Sequence, residues 1–282
     1  MTHPIHYWNL MVPEYVPMAI TTLLAGAVVT TGTLPNSSFW LLAVSLSCIV
    51  GAFNSFNAIA DKEIDKINSP HRPIPSKKIE EKHALYFSIG LYVLALLLAS
   101  FINTTAFIII LGCVVLTAAY SYPKINLKQR FLLGTLTVTL FYAVLCFLAG
   151  WALSPTQRFP LEIATFLFLM GFGLAITKDF MDLPGDAFHR KHTLPVKLGY
   201  LQSIVFIILT LTISFALLTY IIYIGLLPQK FYLLDIFYPL MLFNVYSYKH
   251  HSKSFLTTHL FRTTMVFVMM LEIAMSLIVL FV

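Results

Sequence analysis

The chain has 282 residues, of which 59% are hydrophobic and only 11% charged, and its formal net charge is +6. Soluble domains usually carry about 25% charged residues, so the composition excludes an ordinary soluble globular protein. Because the Lys and Arg residues are concentrated in short connections between apolar segments, the positive charge is a topology signal and does not indicate nucleic-acid binding.

Long apolar segments follow one another along the chain. A helix needs about 20 mostly apolar residues to cross a bilayer. Turn-forming residues, such as those at 35–37 and 102–104, separate the segments. The sequence therefore predicts an all-α polytopic membrane protein that forms one domain over residues 1–282. The nine predicted transmembrane helices are 13–32, 38–60, 84–102, 104–121, 131–152, 161–178, 200–224, 231–248 and 261–281.

The distribution of positive charge predicts the orientation. If the N-terminus is cytoplasmic, sixteen of the 18 Lys and Arg residues lie at the cytoplasmic connections and helix ends, and only Arg158 and Lys230 lie opposite. The first Lys or Arg is Lys62, so we expect no cleavable signal peptide, which would begin with a positively charged n-region. We therefore expect an integral protein of the plasma or inner membrane with its N-terminus in the cytoplasm.

Six polar or charged residues form two short ladders at the cytoplasmic ends of the predicted helices 2 and 6. Within each ladder the residues are four apart, which places them on one face of a helix. Corresponding positions of the two ladders are all 121 residues apart, as expected for a duplicated half. The first ladder consists of Asn57, Asp61 and Asp65, and the second consists of Lys178, Asp182 and Asp186.

Two acidic ladders on the same side of a membrane repel each other unless a cation lies between them. Carboxylate and amide oxygens are hard ligands that suit Mg²⁺, which completes its shell with water and substrate phosphates. A single ladder would fit a solvated helix end as well as a metal site. Two ladders in register, with basic residues nearby, predict a magnesium and phosphate site.

Four residues outside the acids are candidates for phosphate binding. Arg72 lies within a proline-rich, extended loop that follows the first ladder, and guanidinium groups suit phosphate oxygens. Tyr120 and Lys124 are four apart at the end of predicted helix 4, and Lys178 belongs to the second ladder. Each basic residue alone is more often a topology anchor, so the prediction depends on their combination.

At these residues the sequence resembles the UbiA superfamily of membrane prenyltransferases. That family has nine transmembrane helices, an NxxxDxxxD motif after helix 2, a YxxxK element and a DxxxD motif after helix 6. The stretches EIDKINSPHRPIPS and KDFMDLPGD are most similar to the branch that contains digeranylgeranylglyceryl phosphate synthase and chlorophyll synthase. Three features depart from the family pattern: Ala58 replaces an acid, Lys77 replaces a glycine, and no Lys or Arg precedes position 62.

The resemblance implies Mg²⁺-assisted ionisation of a prenyl diphosphate donor and transfer of its polyprenyl group to a lipophilic or lipid-phosphate acceptor within the lipid membrane. It implies that the active site lies at the cytoplasmic side. The implied catalytic and metal-holding residues are Asp61, Asp65, Asp182 and Asp186. The implied second set, which binds phosphate or supports the metal, comprises Asn57, Arg72, Tyr120, Lys124, Lys178 and Asp179.

Two other functions remain open from the sequence. A UbiA-type terpene cyclase or diphosphate hydrolase would use the same fold and the same ladders. A cation-coupled transporter would place acids at mid-membrane, and Glu272, half-way along the last predicted helix, is the one residue that fits this pattern. The acidic ladders at the membrane boundary do not fit it.

Overall fold

The structure, a computed structural model, describes residues 3–247 and 254–282, and within this part of the chain every regular element is helical. The α-helices are α1 (Pro4–Met11), α2 (Val16–Thr31), α3 (Ser38–Ala60), α4 (Lys62–Asn68), α5 (Glu81–Ser100), α6 (Thr104–Ser121), α7 (Leu133–Thr139), α8 (Cys146–Trp151), α9 (Leu161–Phe188), α10 (Leu194–Leu198), α11 (Tyr200–Tyr223), α12 (Phe237–Ser247) and α13 (Ser254–Phe281). A π-helical segment, Leu140–Leu145, joins α7 to α8, and a 3₁₀ segment, Gln229–Ile236, precedes α12.

Eight helical segments of the described chain are long and apolar enough to cross a membrane. The all-α membrane fold is therefore confirmed, while the predicted count of nine is close but not exact. The difference lies at 231–248, where the structure has a 3₁₀ segment followed by the short helix α12. Asp235 and Pro239 lie in this region, and neither favours one long apolar helix.

The composite segment nevertheless runs along the height of the bundle beside α13. Near its start, Lys230 donates to the carbonyl of Val279, and near its end Asn244 contacts Thr264. At about 2.0 Å per 3₁₀ residue and about 1.5 Å per α-helical residue, it extends roughly 32 Å. That length is comparable to the hydrocarbon core of a bilayer, about 30 Å.

The core has two large clusters that correspond to the two halves of the chain, and a small third cluster around Leu10 and Ile74. One is formed by α2, α3, α5, α6 and the α7–α8 segment, and the other mainly by α9, α11, α12 and α13. Large apolar side chains remain exposed on the outer helices, as expected for surfaces that face lipid. On α11 these include Leu201, Val205, Leu209 and Ile213.

Small residues allow two helices to approach closely at the centre of the first half. A Cβ atom added at Gly26 of α2 would lie 1.9 Å from the carbonyl oxygen of Phe147, and one added at Gly150 would lie 2.2 Å from that of Leu23. Close backbone contact through small residues is typical of membrane helix pairs. This contact fixes α2 against α8. The N-terminal end of α2 lies beside the residues predicted to form the active site.

Candidate active site

A cleft of about 840 Å³ opens at one end of the bundle. The C-terminal ends of α3, α6 and α9 and the N-terminal ends of α2, α7 and α13 surround it. Nine of the ten site residues predicted from the sequence line this cleft. They are Asn57, Asp61, Asp65, Arg72, Tyr120, Lys178, Asp179, Asp182 and Asp186.

The first ladder forms because the helical path continues across the junction of α3 and α4. The N–H of Asp61 donates to the carbonyl of Asn57 at 2.9 Å, and the N–H of Asp65 donates to that of Asp61 at 2.7 Å. The three side chains therefore occupy one face. Asp61 and Asp65 are only 7% and 6% exposed, so both carboxylates are largely removed from water.

The second ladder lies on the last turns of α9, which contain Pro184. The side chain of Asn68, at the end of α4, links the two ladders. Its amide donates to the carbonyl of Asp182 at 2.9 Å and accepts from the N–H of Gly185 at 2.8 Å. A Cβ at Gly185 would meet the Asn68 amide at 2.6 Å, so glycine permits this approach.

Each ladder carboxylate lies beside a basic side chain. Arg72 contacts Asp65 and Lys178 contacts Asp182, each at 2.8 Å. The remaining two acids pair with lysines from loops that connect the helices. The Nζ atom of Lys128 lies 2.8 Å from Asp61, and that of Lys191 lies 3.0 Å from Asp186 and 3.6 Å from Asp61.

These lysines determine the charge of the first ladder. Burial raises the pKa of Asp61, but Lys128 and Lys191 outweigh that effect and lower the pKa below its ordinary value. Burial raises the pKa of Asp65, and Arg72 offsets this only in part. The lysines therefore favour the charged form of Asp61, whereas burial disfavours the charged form of Asp65.

Lys124 is the one predicted site residue that the structure does not bring to the cleft. It is exposed, and Lys128 is buried at the site in its place. Between them Asn126 has a φ of 46°, which turns the chain into the 3₁₀ segment Leu127–Gln129. Nothing in the sequence spacing predicts this turn, so Lys128 could not be distinguished there from a topology anchor.

The loop after the first ladder keeps the turn that the family pattern provides with glycine. Lys77, which stands at that glycine's position, has a φ of 58°, in the left-handed region that glycine favours. Lys77 therefore adopts a backbone conformation that glycine also allows. Arg72 remains at the site, held by its contact with Asp65.

A second, smaller cavity of about 100 Å³ continues from the cleft into the bundle. The two share Tyr120 and Lys178 among their lining residues. Tyr120 packs edge-on against Phe53, with ring centroids 5.0 Å apart. Deeper lining residues, including Leu167, Met170 and Val268, are apolar. A charged end and an apolar end are thus contiguous, as an amphipathic ligand with an anionic head requires.

Glu272 lies in this inner cavity and is 1% exposed. Its two carboxyl oxygens accept hydrogen bonds from Thr21 and Thr22, both at 2.6 Å. The residue therefore joins α13 to α2 and is satisfied by neutral partners. A buried acid on an ion path would be expected to exchange its partners for water or ions.

Glu272→Gln is expected to retain most of the activity and stability. The glutamine oxygen accepts from one threonine, and its amide donates to the other threonine, whose own hydroxyl already has the carbonyl of Met18 as a partner. Turnover and melting temperature, compared with those of Glu272→Leu, test this. A folded but inactive glutamine variant would show that the carboxyl group itself takes part in the reaction.

Across residues 3–247 and 254–282, no three Asp, Glu, His or Cys side chains stand close enough to hold a metal ion alone. The donor set of the cleft nevertheless fits Mg²⁺, which is commonly bound through one or two carboxylates together with water and substrate phosphates. The buried oxygens Oδ1 of Asp61 and Oδ1 of Asp186 make no hydrogen bond of good geometry. These two oxygens contact lysine Nζ atoms at 2.8 and 3.0 Å, so a cation that arrives with a diphosphate would compete with Lys128 and Lys191 for them.

A helical membrane bundle with a charged cleft above an apolar cavity defines an intramembrane enzyme that handles an anionic, long-chain substrate. The family model of the UbiA prenyltransferase family matches residues 18–271. The chain therefore belongs to the UbiA family and is a prenyltransferase, as the sequence motifs predicted.

A curated relative agrees with the family, and two solved structures agree with the fold. A digeranylgeranylglyceryl phosphate synthase from Methanosphaera stadtmanae is 33% identical over 198 residues, which cover 70% of this chain and 71% of that protein. A solved digeranylgeranylglyceryl phosphate synthase structure has a TM-score of 0.73 at 22% identity, over 100% of both chains. A UbiA homologue from Archaeoglobus fulgidus, bound to GPP and Mg²⁺, has a TM-score of 0.74 at 17% identity, over 96% of this chain and 99% of its own.

Proposed function

We propose that the whole chain acts as one domain that transfers a geranylgeranyl group from its diphosphate to the hydroxyl of a lipid-phosphate acceptor. The observation that carries this proposal is the cleft, where two carboxylate ladders and four basic side chains meet above an apolar cavity. The relative from Methanosphaera stadtmanae that carries a synthase name of this kind supports the choice of acceptor.

The proposed reaction breaks the bond between the first prenyl carbon and the diphosphate oxygen. The electron pair of that bond leaves with the diphosphate. The acceptor oxygen then bonds to the same carbon, and its proton passes to the released diphosphate. Mg²⁺, when bound, neutralises charge that develops on the leaving diphosphate. Asp61, Asp65, Asp182 and Asp186 would hold it, with Asn57 and Asp179 in support.

The chain's own cations supply the other half of the stabilisation. Arg72 and Lys178 lie in the cleft within reach of a diphosphate that binds between the ladders. Fixed positive groups in a site that excludes water stabilise a developing anion more strongly than water does. Tyr120, at the passage between cleft and cavity, would orient the ionising carbon, and its aromatic face would attract the cation formed there.

The rim of the cleft carries positively charged side chains that do not pair with the acids of the ladders. Arg130 and Arg262 line the cleft, are exposed, and form no ion pair within the part of the chain that the structure describes. Guanidinium groups suit phosphate oxygens. This surplus supports an acceptor that carries its own phosphate, in addition to the donor's diphosphate.

A competition assay tests the acceptor. Purified protein with Mg²⁺ and geranylgeranyl diphosphate is given geranylgeranylglyceryl phosphate, the same lipid without its phosphate, and 4-hydroxybenzoate in equal amounts. We expect mass spectrometry to find prenylation of the phosphorylated lipid. We also expect Arg262→Met to reduce the preference of the protein for this lipid over the unphosphorylated lipid. Prenylation of 4-hydroxybenzoate instead would overturn the proposed acceptor.

We also propose that the cleft opens to the cytoplasm, because the positive charge is concentrated on its side of the membrane. The three native cysteines, Cys48, Cys113 and Cys146, are buried and can be replaced. In such an active variant, a single cysteine at exposed Lys77 should react with an impermeant thiol reagent only from the cytoplasmic face. A cysteine at exposed Asn36 should react only from the other face, and the reverse pattern would contradict the orientation.

A further inference from the structure

Lys191 occupies the gap between the two ladders. Its Nζ atom contacts a carboxylate of each ladder, at 3.0 Å from Asp186 and 3.6 Å from Asp61. The other cations at the site each contact one ladder acid: Lys128 contacts Asp61, Arg72 contacts Asp65, and Lys178 contacts Asp182. Lys191 is therefore the only one of these four cations that lies between the two ladders.

The backbone that follows α9 places Lys191 there. Arg190 has a φ of 54°, in the left-handed region where glycine is the usual residue at a helix end. The chain folds back, and the N–H of Lys191 donates to the carbonyl of Asp186 at 2.8 Å. The side chain is consequently aimed back over the helix end and towards the first ladder, although the turn lacks the residue that favours it.

Lys128 and Lys191 differ in how firmly they are held. Lys128 lies between two acceptors of one helical face, Asp61 and the side-chain oxygen of Asn57, at 2.8 and 3.0 Å. Its side chain is 3% exposed, whereas that of Lys191 is 11% exposed. If Lys191 departs, Asp61 still retains Lys128. Release of Lys191 would thus leave Asp61 paired with Lys128 and would free the buried carboxylate of Asp186 for another cation.

We propose that Lys191 is a tethered cation that competes with the metal ion for the carboxylate oxygens of both ladders, and that it turns to the diphosphate when Mg²⁺ and the donor enter. An ammonium group and a divalent ion repel each other and compete for the same carboxylate oxygens. A metal ion that binds alone must therefore displace Lys191 while offering its ammonium group no new anionic partner. Metal with a diphosphate offers the released ammonium a new anionic partner.

The inference, which rests on the proposed function, gives Lys191 two opposite effects. It weakens the binding of metal alone and strengthens the binding of the diphosphate. Metal and donor should consequently bind cooperatively, with a coupling factor of about tenfold or more, within the range known for linked sites. An ion pair that serves only to stabilise the fold would give neither effect.

The test uses the full chain in detergent and Mn²⁺, whose free concentration is measured by EPR. Titrations are carried out with and without a thiolo analogue of geranylgeranyl diphosphate, whose bridging sulfur slows ionisation. Lys191→Met is compared with Lys197→Met, which removes the same charge from an exposed position outside the cleft. Lys191→Gln serves as the second variant if the methionine variant does not fold.

We expect Lys191→Met to bind Mn²⁺ alone about tenfold more tightly than the wild type, to bind the analogue more weakly, and to lose most of the coupling. Lys197→Met should match the wild type. A wild type without coupling, or Lys191 variants with unchanged Mn²⁺ affinity, would overturn the inference while the proposed function stands. A wild type that binds neither Mn²⁺ nor the analogue would overturn both.

Discussion

Replacing Asp61 with asparagine is expected to reduce turnover by about a hundred- to a thousandfold, as the loss of one charged group at a reacting centre often does. Asp61 is a buried carboxylate whose pKa the neighbouring lysines lower, so it is held in the charged form that a cation needs. Asparagine keeps the size of the side chain and its carbonyl oxygen. The expected loss is therefore one of charge, not of packing.

The measurement is diphosphate release by purified protein at saturating Mg²⁺. Asp182→Asn should show a loss of similar size, because it removes a carboxylate of the second ladder. Asp235→Asn is the matched control, since it makes the same chemical change at a residue that contacts Thr219 outside the cleft. If Asp61→Asn remained as active as Asp235→Asn, Asp61 would have no part in catalysis.

Removal of divalent metal is expected to reduce activity by at least about a hundredfold, because metal-ion stabilisation of transition-state charge is worth several kcal/mol. The cleft offers carboxylate and amide oxygens, which are hard ligands, and its ladders carry neither His nor Cys. Treatment with EDTA, followed by dialysis, should abolish diphosphate release, and Mg²⁺ or Mn²⁺ should restore it.

The control for this experiment is EDTA saturated with Mg²⁺, which should leave activity unchanged. Gel filtration before and after treatment establishes that the protein stays folded and monodisperse. Full turnover in metal-free protein would contradict a role for the ladders in metal binding. It would leave Arg72, Lys178 and the loop lysines as the only stabilisers of the leaving group.

Much of the site could be predicted from the sequence because its central elements are local patterns. A four-residue spacing on a helix places Asp61 and Asp65 on one face without any knowledge of the fold. The constant offset of 121 residues and the shared membrane side indicated that the second ladder would face the first. The positive charge in the connections distinguished the end of the bundle that carries the ladders from the opposite end.

What the sequence did not predict depends on contacts between distant segments. Asn68 binds the backbone of α9 more than a hundred residues away, and Lys128 and Lys191 reach the site through left-handed turns at Asn126 and Arg190. A left-handed turn at a residue other than glycine has no periodic sequence pattern that would predict it. The backbone of 231–248 was likewise not predicted. Its hydropathy fits a transmembrane span, but its backbone is partly 3₁₀.

The central claim is that the prenyl group of the diphosphate is transferred to an acceptor and not to water. The most direct measurement is the ratio of diphosphate released to prenylated acceptor formed by purified protein given Mg²⁺, geranylgeranyl diphosphate and geranylgeranylglyceryl phosphate. We predict one prenylated acceptor for each diphosphate released. Release of diphosphate with geranylgeraniol or a cyclic hydrocarbon as the main product, and no prenylated acceptor, would contradict the claim and identify a hydrolase or a cyclase.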